Sequence, residues 1–330
     1  MSEILRYFAT VFEDSFNEPN SKEPTEFVDM TSSSLDIPQD RIAYVPTSNG
    51  RGTKRYVKTS VSTSGNVVQP VDVNSIGFWL KATLMKYVFE DNIAAGSNFN
   101  RHLFYGGHDS NPLSFVSYVG KQEHEEIHTG CVVESLEIAV SDTIVTATVN
   151  IVAANGERYP IRLTEEVNLN DTLPFSMHEV NARINGTDKS RKIQEMTISI
   201  SNNPSVDAGK TIGSRYTRMI VLGERTVNVS LTYIYEDDEE LILFENEESF
   251  SLDIDFTSLE EGSMHINLPL CVYESLSTPV SGRDAITQSA TIRALETTVD
   301  VSDGSATAGS STTVDTDIIV SLYNKKGEIK

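Results

Sequence analysis

The chain has 330 residues, 38% of them hydrophobic and 8% aromatic, which is room for two domains of ordinary size and too apolar for a disordered chain. Its 48 acidic residues against 26 Lys plus Arg leave a net charge of −22, a surface that repels a phosphate backbone and disfavours sequence-specific or packaging-type DNA binding. No apolar run approaches the ~18 residues of a membrane span, and Met1–Glu18 lacks the basic and apolar regions of a signal peptide, so a soluble chain made in the cytosol is expected.

Residues 1–44 show no sustained periodicity and are broken by Asn17-Glu18-Pro19-Asn20, Lys22-Glu23-Pro24 and Thr31-Ser32-Ser33-Ser34, the pattern of an extended arm. Its Tyr7, Phe8, Val11, Phe12 and Phe16 favour lying on another surface. From Lys54 to Val68 the chain alternates Thr, Ser and Val and turns at Gly65-Asn66, a β-rich entry. The clearest helix follows, capped by Asn74 or Ser75, with Ile76, Trp79, Leu80, Leu84, Tyr87 and Val88 on one stripe and Lys81 and Lys86 on the other. Trp79 reads as core. After a Gly- and Asn-rich loop over 96–111, Leu113–Val119 and Cys131–Ala154 alternate as strands, and Asn155-Gly156 predicts a hairpin turn into Arg158–Leu163.

Residues 166–192 connect to a second set of strands at Ile193–Ile200, Arg215–Leu222 and Thr226–Tyr235, with a loop over 202–214. The acidic run Glu236–Glu240 suits the N-terminus of a short helix with Leu241 and Leu243 or Phe244 facing inward. Strands follow at Ser249–Phe256, Met264–Glu274 and Ala285–Leu295. Thr297–Thr316 has the composition of a flexible linker, and Asp317–Tyr323 returns to strand character, suited to joining a sheet edge.

One stretch organises this list. Cys131-Val132-Val133-Glu134-Ser135-Leu136 recurs as Cys271-Val272-Tyr273-Glu274-Ser275-Leu276, and Val140-Ser141 recurs at the same offset as Val280-Ser281. The chain therefore reads as mainly β with short helices: a tandem duplication of a sandwich or barrel with one helix, over 45–165 and 193–296, flanked by the arm and by a linker and strand at 297–330. The span from Gly65 to Cys131 exceeds that from Gly223 to Cys271, and the loop over 92–111 is the natural place for the extra residues. One cysteine per unit reads as a pair of buried core residues rather than a disulfide.

Enzymatic signals are weak. His124-Glu125-Glu126-Ile127-His128 fits the H-E-x-x-H zinc pattern, but that chemistry needs both imidazoles one helical turn apart, and here the residues lie between strand-like runs. Gly209-Lys210-Thr211 hints at a phosphate loop, yet Pro204 stands where its first glycine would be. No catalytic, metal or cofactor-binding residues are predicted.

The order of features resembles the tail tube proteins of long-tailed (siphovirus-like) phages and related archaeal tailed viruses. The cues are Arg51-Gly52-Thr53-Lys54 before a Thr/Ser-rich strand and Gly65, Ile76-Gly77-Phe78-Trp79-Leu80-Lys81 opening the helix, Leu113-Ser114-Phe115, and His128-Thr129-Gly130 leading into the first hexapeptide. In the second unit they are Met196–Asn203, Gly213-Ser214-Arg215 and Tyr235-Glu236-Asp237. The resemblance spans about 45–296. It implies a virion structural protein without catalytic residues, stacked as rings, with three two-unit chains replacing six single-unit ones around a DNA conduit. Partners implied are further copies of itself, the tape-measure, tail terminator and distal tail proteins, and viral DNA passing through without specific binding; no membrane is involved. Glu134, Glu274, Glu195, Asp253 and Asp255 are the candidates for acids facing the lumen. Two other readings compete: a receptor-binding or tail-decorating β-sandwich adhesin, and a zinc hydrolase using His124, Glu125 and His128.

Overall fold

The computed structural model describes residues 6–18, 23–38, 41–45, 52–53, 55–61, 63–91, 99–141, 143–161, 164, 166–258, 260–280, 285–302 and 311–329. Residues 92–98 of the loop expected over 92–111 and part of the Arg51–Lys54 cue lie outside them, and within the rest of that expected loop Asn100–Gly106 is a strand instead. The first part of the chain runs β1 (Arg6–Phe12), β2 (Glu26–Val28), β3 (Ser32–Ser33), β4 (Arg41–Tyr44), β5 (Arg55–Lys58), β6 (Thr63–Pro70), α1 (Ile76–Leu84), β7 (Met85–Glu90), β8 (Asn100–Gly106), β9 (Phe115–Lys121), β10 (His124–Val140) and β11 (Thr146–Tyr159). The second runs β12 (Val180–Ile184), β13 (Thr187–Asp188), β14 (Ile193–Ser201), β15 (Thr226–Ile234), α2 (Glu239–Glu245), β16 (Phe250–Ser258), β17 (Gly262–Ser277), β18 (Thr287–Ala294), β19 (Thr297–Ser302), β20 (Ser311–Thr316) and β21 (Ile319–Asn324). The mainly β class expected from the sequence is what the chain adopts.

In the first half the antiparallel order is β6-β11-β10-β9-β1, with α1 between β6 and β9 in the chain. In the second it is β15-β18-β17-β16-β12, with α2 between β15 and β16. The first half additionally carries the β7–β8 hairpin after α1. β14 joins the halves, pairing with β15 on one side and with the end of β10 on the other. β21 lies between the start of β17 and β8.

Alternation along these strands builds one continuous core. Val229 and Leu231 of β15, Ile198 and Ile200 of β14, and Ile254 and Phe256 of β16 are buried, while their neighbours face solvent. The α1 helix is buried at every position but Lys81. Trp79 is fully buried, edge-on to Phe78 and Phe115, with its indole N–H donating to Gln69 Oε1 at 3.0 Å.

Several expectations are corrected. Residues 6–12 are no arm but a full strand on β9, with Phe8 and Phe12 in the main core. The helix stops at Leu84, because Met85 adopts the left-handed conformation (φ 67°), and Tyr87 and Val88 go into β7 to pair with β8. Its N-terminus is held by Asp72, whose carboxylate accepts from the Asn74 and Ser75 amides, and the Ser75 side chain makes no cap bond. Asn155-Gly156 does not turn: β11 continues through it because the first half of β10 pairs there, Thr129 opposite Asn155 and His128 opposite Gly156. Arg215–Leu222 forms no strand beyond a single bridge, Ser205 to Val221. Thr297–Thr316 is not a plain linker; its two ends pair as β19 and β20.

Candidate functional site

The repeated hexapeptide sits where the two longest strands change partners. On the first half of β10 the neighbour is β9; beyond Val133 the register against β11 slips and the neighbour becomes β14. β17 slips at the same place, between Tyr273 and Ser275; its first half lies between β16 and β21, and its end keeps only β18 among the described residues. Glu134 and Glu274 are the bulged residues, both exposed. Cys131 and Cys271 occupy an earlier irregularity, each opposite the first residue of the preceding strand, Phe115 or Phe250. Each thiol donates to the carbonyl three residues back, His128 O at 3.3 Å and Leu268 O at 3.7 Å. Both are free and buried, and burial pushes both thiols up to about 12, which leaves them unreactive.

Strand pairing gives a residue-by-residue correspondence. Val132, Val152 and Ser64 lie opposite one another on β10, β11 and β6, as Val272, Arg293 and Asn228 do on β17, β18 and β15. Three residues further on, Val67 faces Ser33 of β3 and Leu231 faces Met196 of β14. The segment around β3 thus holds the place in the first half that β14 holds in the second, and Leu35 is buried there as Ile198 is.

One edge is left over. The end of β10 is covered by β14, and Val140 there is 5% exposed. Among the described residues the end of β17 has β18 on one side and nothing on the other, and Val280 is 76% exposed. The same valine at the same repeat position has opposite environments.

The strands β6, β11, the end of β10, β14, β15, β18 and the end of β17 form one sheet across both halves. Its face away from the core is dominated by hydroxyl and amide groups: Thr148 beside Glu137, then Ser199, then Asn228, then Arg293. The exposed Glu195 is on this face. Asp253 and Asp255 are not; they point outward from β16, where Asp255 binds Arg183 at 2.6 Å and His265 at 2.5 Å, and Asp253 accepts from Asn267 at 2.7 Å. The five acids named from the sequence therefore occupy three surroundings: two bulges, the continuous sheet, and the β16 surface. Glu137, which shares the sheet with Glu195, was not singled out, although its alternation with Leu136 and Ile138 pointed outward.

The His124–His128 segment lies on β10, so His124, Glu126 and His128 share one face and Glu125 takes the other. Glu125 accepts from the amide and hydroxyl of Thr164, both at 3.0 Å. Glu126 is buried between Arg158 at 2.5 Å and Lys121 at 2.6 Å. Burial lowers His128 from 6.5 to about 4, keeping it neutral. A general-base Glu on the opposite face from both imidazoles cannot serve a metal-bound water, so the zinc-hydrolase geometry is not formed. A second acidic group, Asp237, Glu239 and Glu240, brings its oxygens within 4.8 Å of one another. Its charge is met by Lys192 on Asp237 at 2.5 Å and by Lys189 on Glu239 and, at 3.0 Å, on Glu240.

What the fold offers is sheet edges, exposed hairpins and a long polar sheet face, the equipment of a structural building block. A family model described as "Phage tail tube protein" matches residues 7–294, and the chain belongs to that family. It is thus a structural component of a phage-type virion tail. The match begins within β1, upstream of the first cue read from the sequence. Among curated proteins none matches the chain.

Proposed function

We propose that the chain is a two-unit tail tube protein whose copies close head to tail in threes, with pseudo-sixfold symmetry, and that these rings stack into the conduit through which viral DNA is ejected. The observation that carries this reading is the pair Val140 and Val280: the second unit covers the edge of the first, and nothing among the described residues covers the edge of the second. The surface that completes β17 is then the β3 segment of the next copy, in β14's role.

Backbone polarity favours this pairing. Ser34 donates its amide to Asn66 O at 2.9 Å, so Ser33, Leu35 and Ile37 turn their amides away from β6, where Leu35 now donates to Ser33 Oγ at 3.3 Å and Ile37 to Asp36 Oδ1 at 2.9 Å, local bonds that strand pairing would replace. In the register of β10 on β14 their partners are Val280, Thr278 and Leu276. Pro279, which has no N–H, falls opposite Ser34, where none is needed.

Closure of three chains this way places the polar face of the seven-strand sheet on the channel wall. Glu195 and Glu137 are acids on that wall, set mainly among Ser, Thr and Asn, and Arg293 on the same face is held by Glu224 at 3.3 Å, so the lining offers phosphate little to pair with. Tape-measure, terminator and distal tail proteins would meet the rims, and assembly would take place in the host cytoplasm. Negative-stain class averages of the purified protein test the reading: rings or hollow tubes with threefold or apparent sixfold end views are expected, and monomers at every concentration and salt would overturn it.

A further inference from the structure

The loop that follows β14 has a structured job within the chain. Ile220, only 2% exposed, packs with Val206 and Leu222 onto Val132 and Val152, the outward-facing residues just before the β10 corner. The loop from one unit thereby clamps the strand junction with the other.

The corresponding loop of the first half is the β4–β5 hairpin, and the correspondence holds in detail. The bridge Ser205 to Val221 matches the pair Ile42 to Val57. Ser205 and Ile42 each lie nine residues after the equivalent positions Met196 and Ser33, and Val221 and Val57 each lie seven before Asn228 and Ser64. Tyr56 then stands where Ile220 stands, and Ala43 where Val206 does. Yet Tyr56 is 68% exposed, and all eight residues of β4 and β5 face solvent. The equivalents of Val132 and Val152 are Val272 and Arg293, and among the described residues no loop packs over them in the way Ile220 packs over its site.

We infer that the β4–β5 hairpin is a clamp acting in trans: Tyr56 seats on Val272 and Arg293 of the adjacent copy, over the junction between β17 and that hairpin's own β3 segment. This rests on the head-to-tail ring reading and adds a second contact to it. Charge favours the same occupant. Arg41, Arg55 and Lys58 make the described hairpin basic and free of acids in a chain of net −22. The site it would cover has exposed Glu274 at the bulge next to Val272, and Glu224 at 3.3 Å from Arg293. The Tyr56 ring over the Arg293 guanidinium supplies an apolar and cation–π contact in place of the aliphatic one in cis.

Disulfide trapping tests the clamp and the ring separately. Ser34→Cys with Pro279→Cys reports the strand edge, and Tyr56→Cys with Val272→Cys reports the clamp; the native thiols are buried in both. After mild oxidation of assembled protein, both double variants should run as covalent dimers and trimers on a non-reducing gel, and each single variant as monomer. Edge cross-links without clamp cross-links would overturn the clamp and leave the ring standing. Absence of both would overturn both. Tyr56→Asp adds an independent readout: its melting transition as a monomer should match wild type, while assembly should require at least ten-fold more protein. Unchanged assembly would refute the clamp.

Discussion

The valine at positions 140 and 280 permits a matched experiment on one side chain in two environments. Val140 is already buried, so Val140→Asp places a charge in the core; a loss of about 3 kcal/mol or more, enough to unfold a marginal domain, is expected. Val280 is 76% exposed, so Val280→Asp leaves the monomer within about 0.5 kcal/mol of wild type. On the proposed ring, Val280 goes to the burial of Val140 and loses most of its exposed surface. Full burial of a valine contributes roughly 1.5–3 kcal/mol, so each junction gains about 1–2 kcal/mol from this residue. Desolvating a carboxylate there would cost several kcal/mol more, and association should weaken by a factor on the order of a thousand per junction. Thermal melts of both variants, with light scattering across a concentration series, separate the two effects. A Val280→Asp variant that is as folded as wild type and assembles at the same concentration would refute the assignment of this edge.

Three further outcomes follow from the packing. His128 titrates near 6.5 unfolded and about 4 folded, so the unfolded chain binds the extra proton first: stability is complete above pH 6.5 and falls by up to about 3 kcal/mol as pH drops toward 4. His128→Leu should flatten that part of a denaturant-midpoint profile, and an identical slope in the variant would exclude His128 as its source. At Gly120, an added Cβ would lie 2.2 Å from the Tyr7 ring that pairs across from it, so Gly120→Val should destabilise by about 1–3 kcal/mol and release Tyr7 from β9; a wild-type melt would show that the ring yields freely. Arg225 binds Asp317 at 2.9–3.1 Å and the Gly107 carbonyl at 2.6 Å, largely out of water. Arg225→Met leaves Asp317 unpaired and should cost about 3–5 kcal/mol by chemical denaturation, whereas Arg225→Met with Asp317→Leu should recover most of it.

Legibility from sequence followed how local the determining forces were. Strands with one wet and one dry face, such as β14, β15 and β16, were readable because alternation is a property of the strand alone. β1 was read as an arm because the Pro-rich breaks after it are local, while the partner that makes it a strand, β9, is more than a hundred residues away. Tyr87 and Val88 fall on helical spacing, and only the pairing of β7 with β8 overrides it. At Asn155-Gly156 the turn preference is real but loses to the ladder with β10, Gly156 fitting there because a Cβ would meet Ile37 at 2.9 Å and His128 Nδ1 at 3.0 Å. The acids could not be sorted for a related reason. Glu195 and Asp253 each lie on the polar side of an alternating strand, and which sheet that strand joins is not written in the alternation.

The hexapeptide, by contrast, was legible for a reason the structure supplies. β10 and β17 each break register twice within a few residues, where one neighbouring strand ends, and each break holds its own residue type. The first needs a small side chain that fits the core and can still satisfy a carbonyl freed from the ladder; Cys131 and Cys271 do this through their thiols. The second needs a residue that tolerates projecting from a bulge into water, which Glu134 and Glu274 do, with Leu136 and Leu276 resuming the inward phase. Matching letters therefore mark matching corners, and on the proposed ring the corner is where one half hands its edge to the next. In the first unit that edge already holds β14 and the Ile220 clamp. In the second, among the described residues, the same six positions lead into an uncovered edge with the exposed Val280 and leave Val272 unclamped, so the repeat itself points to the site most informative about the proposed assembly.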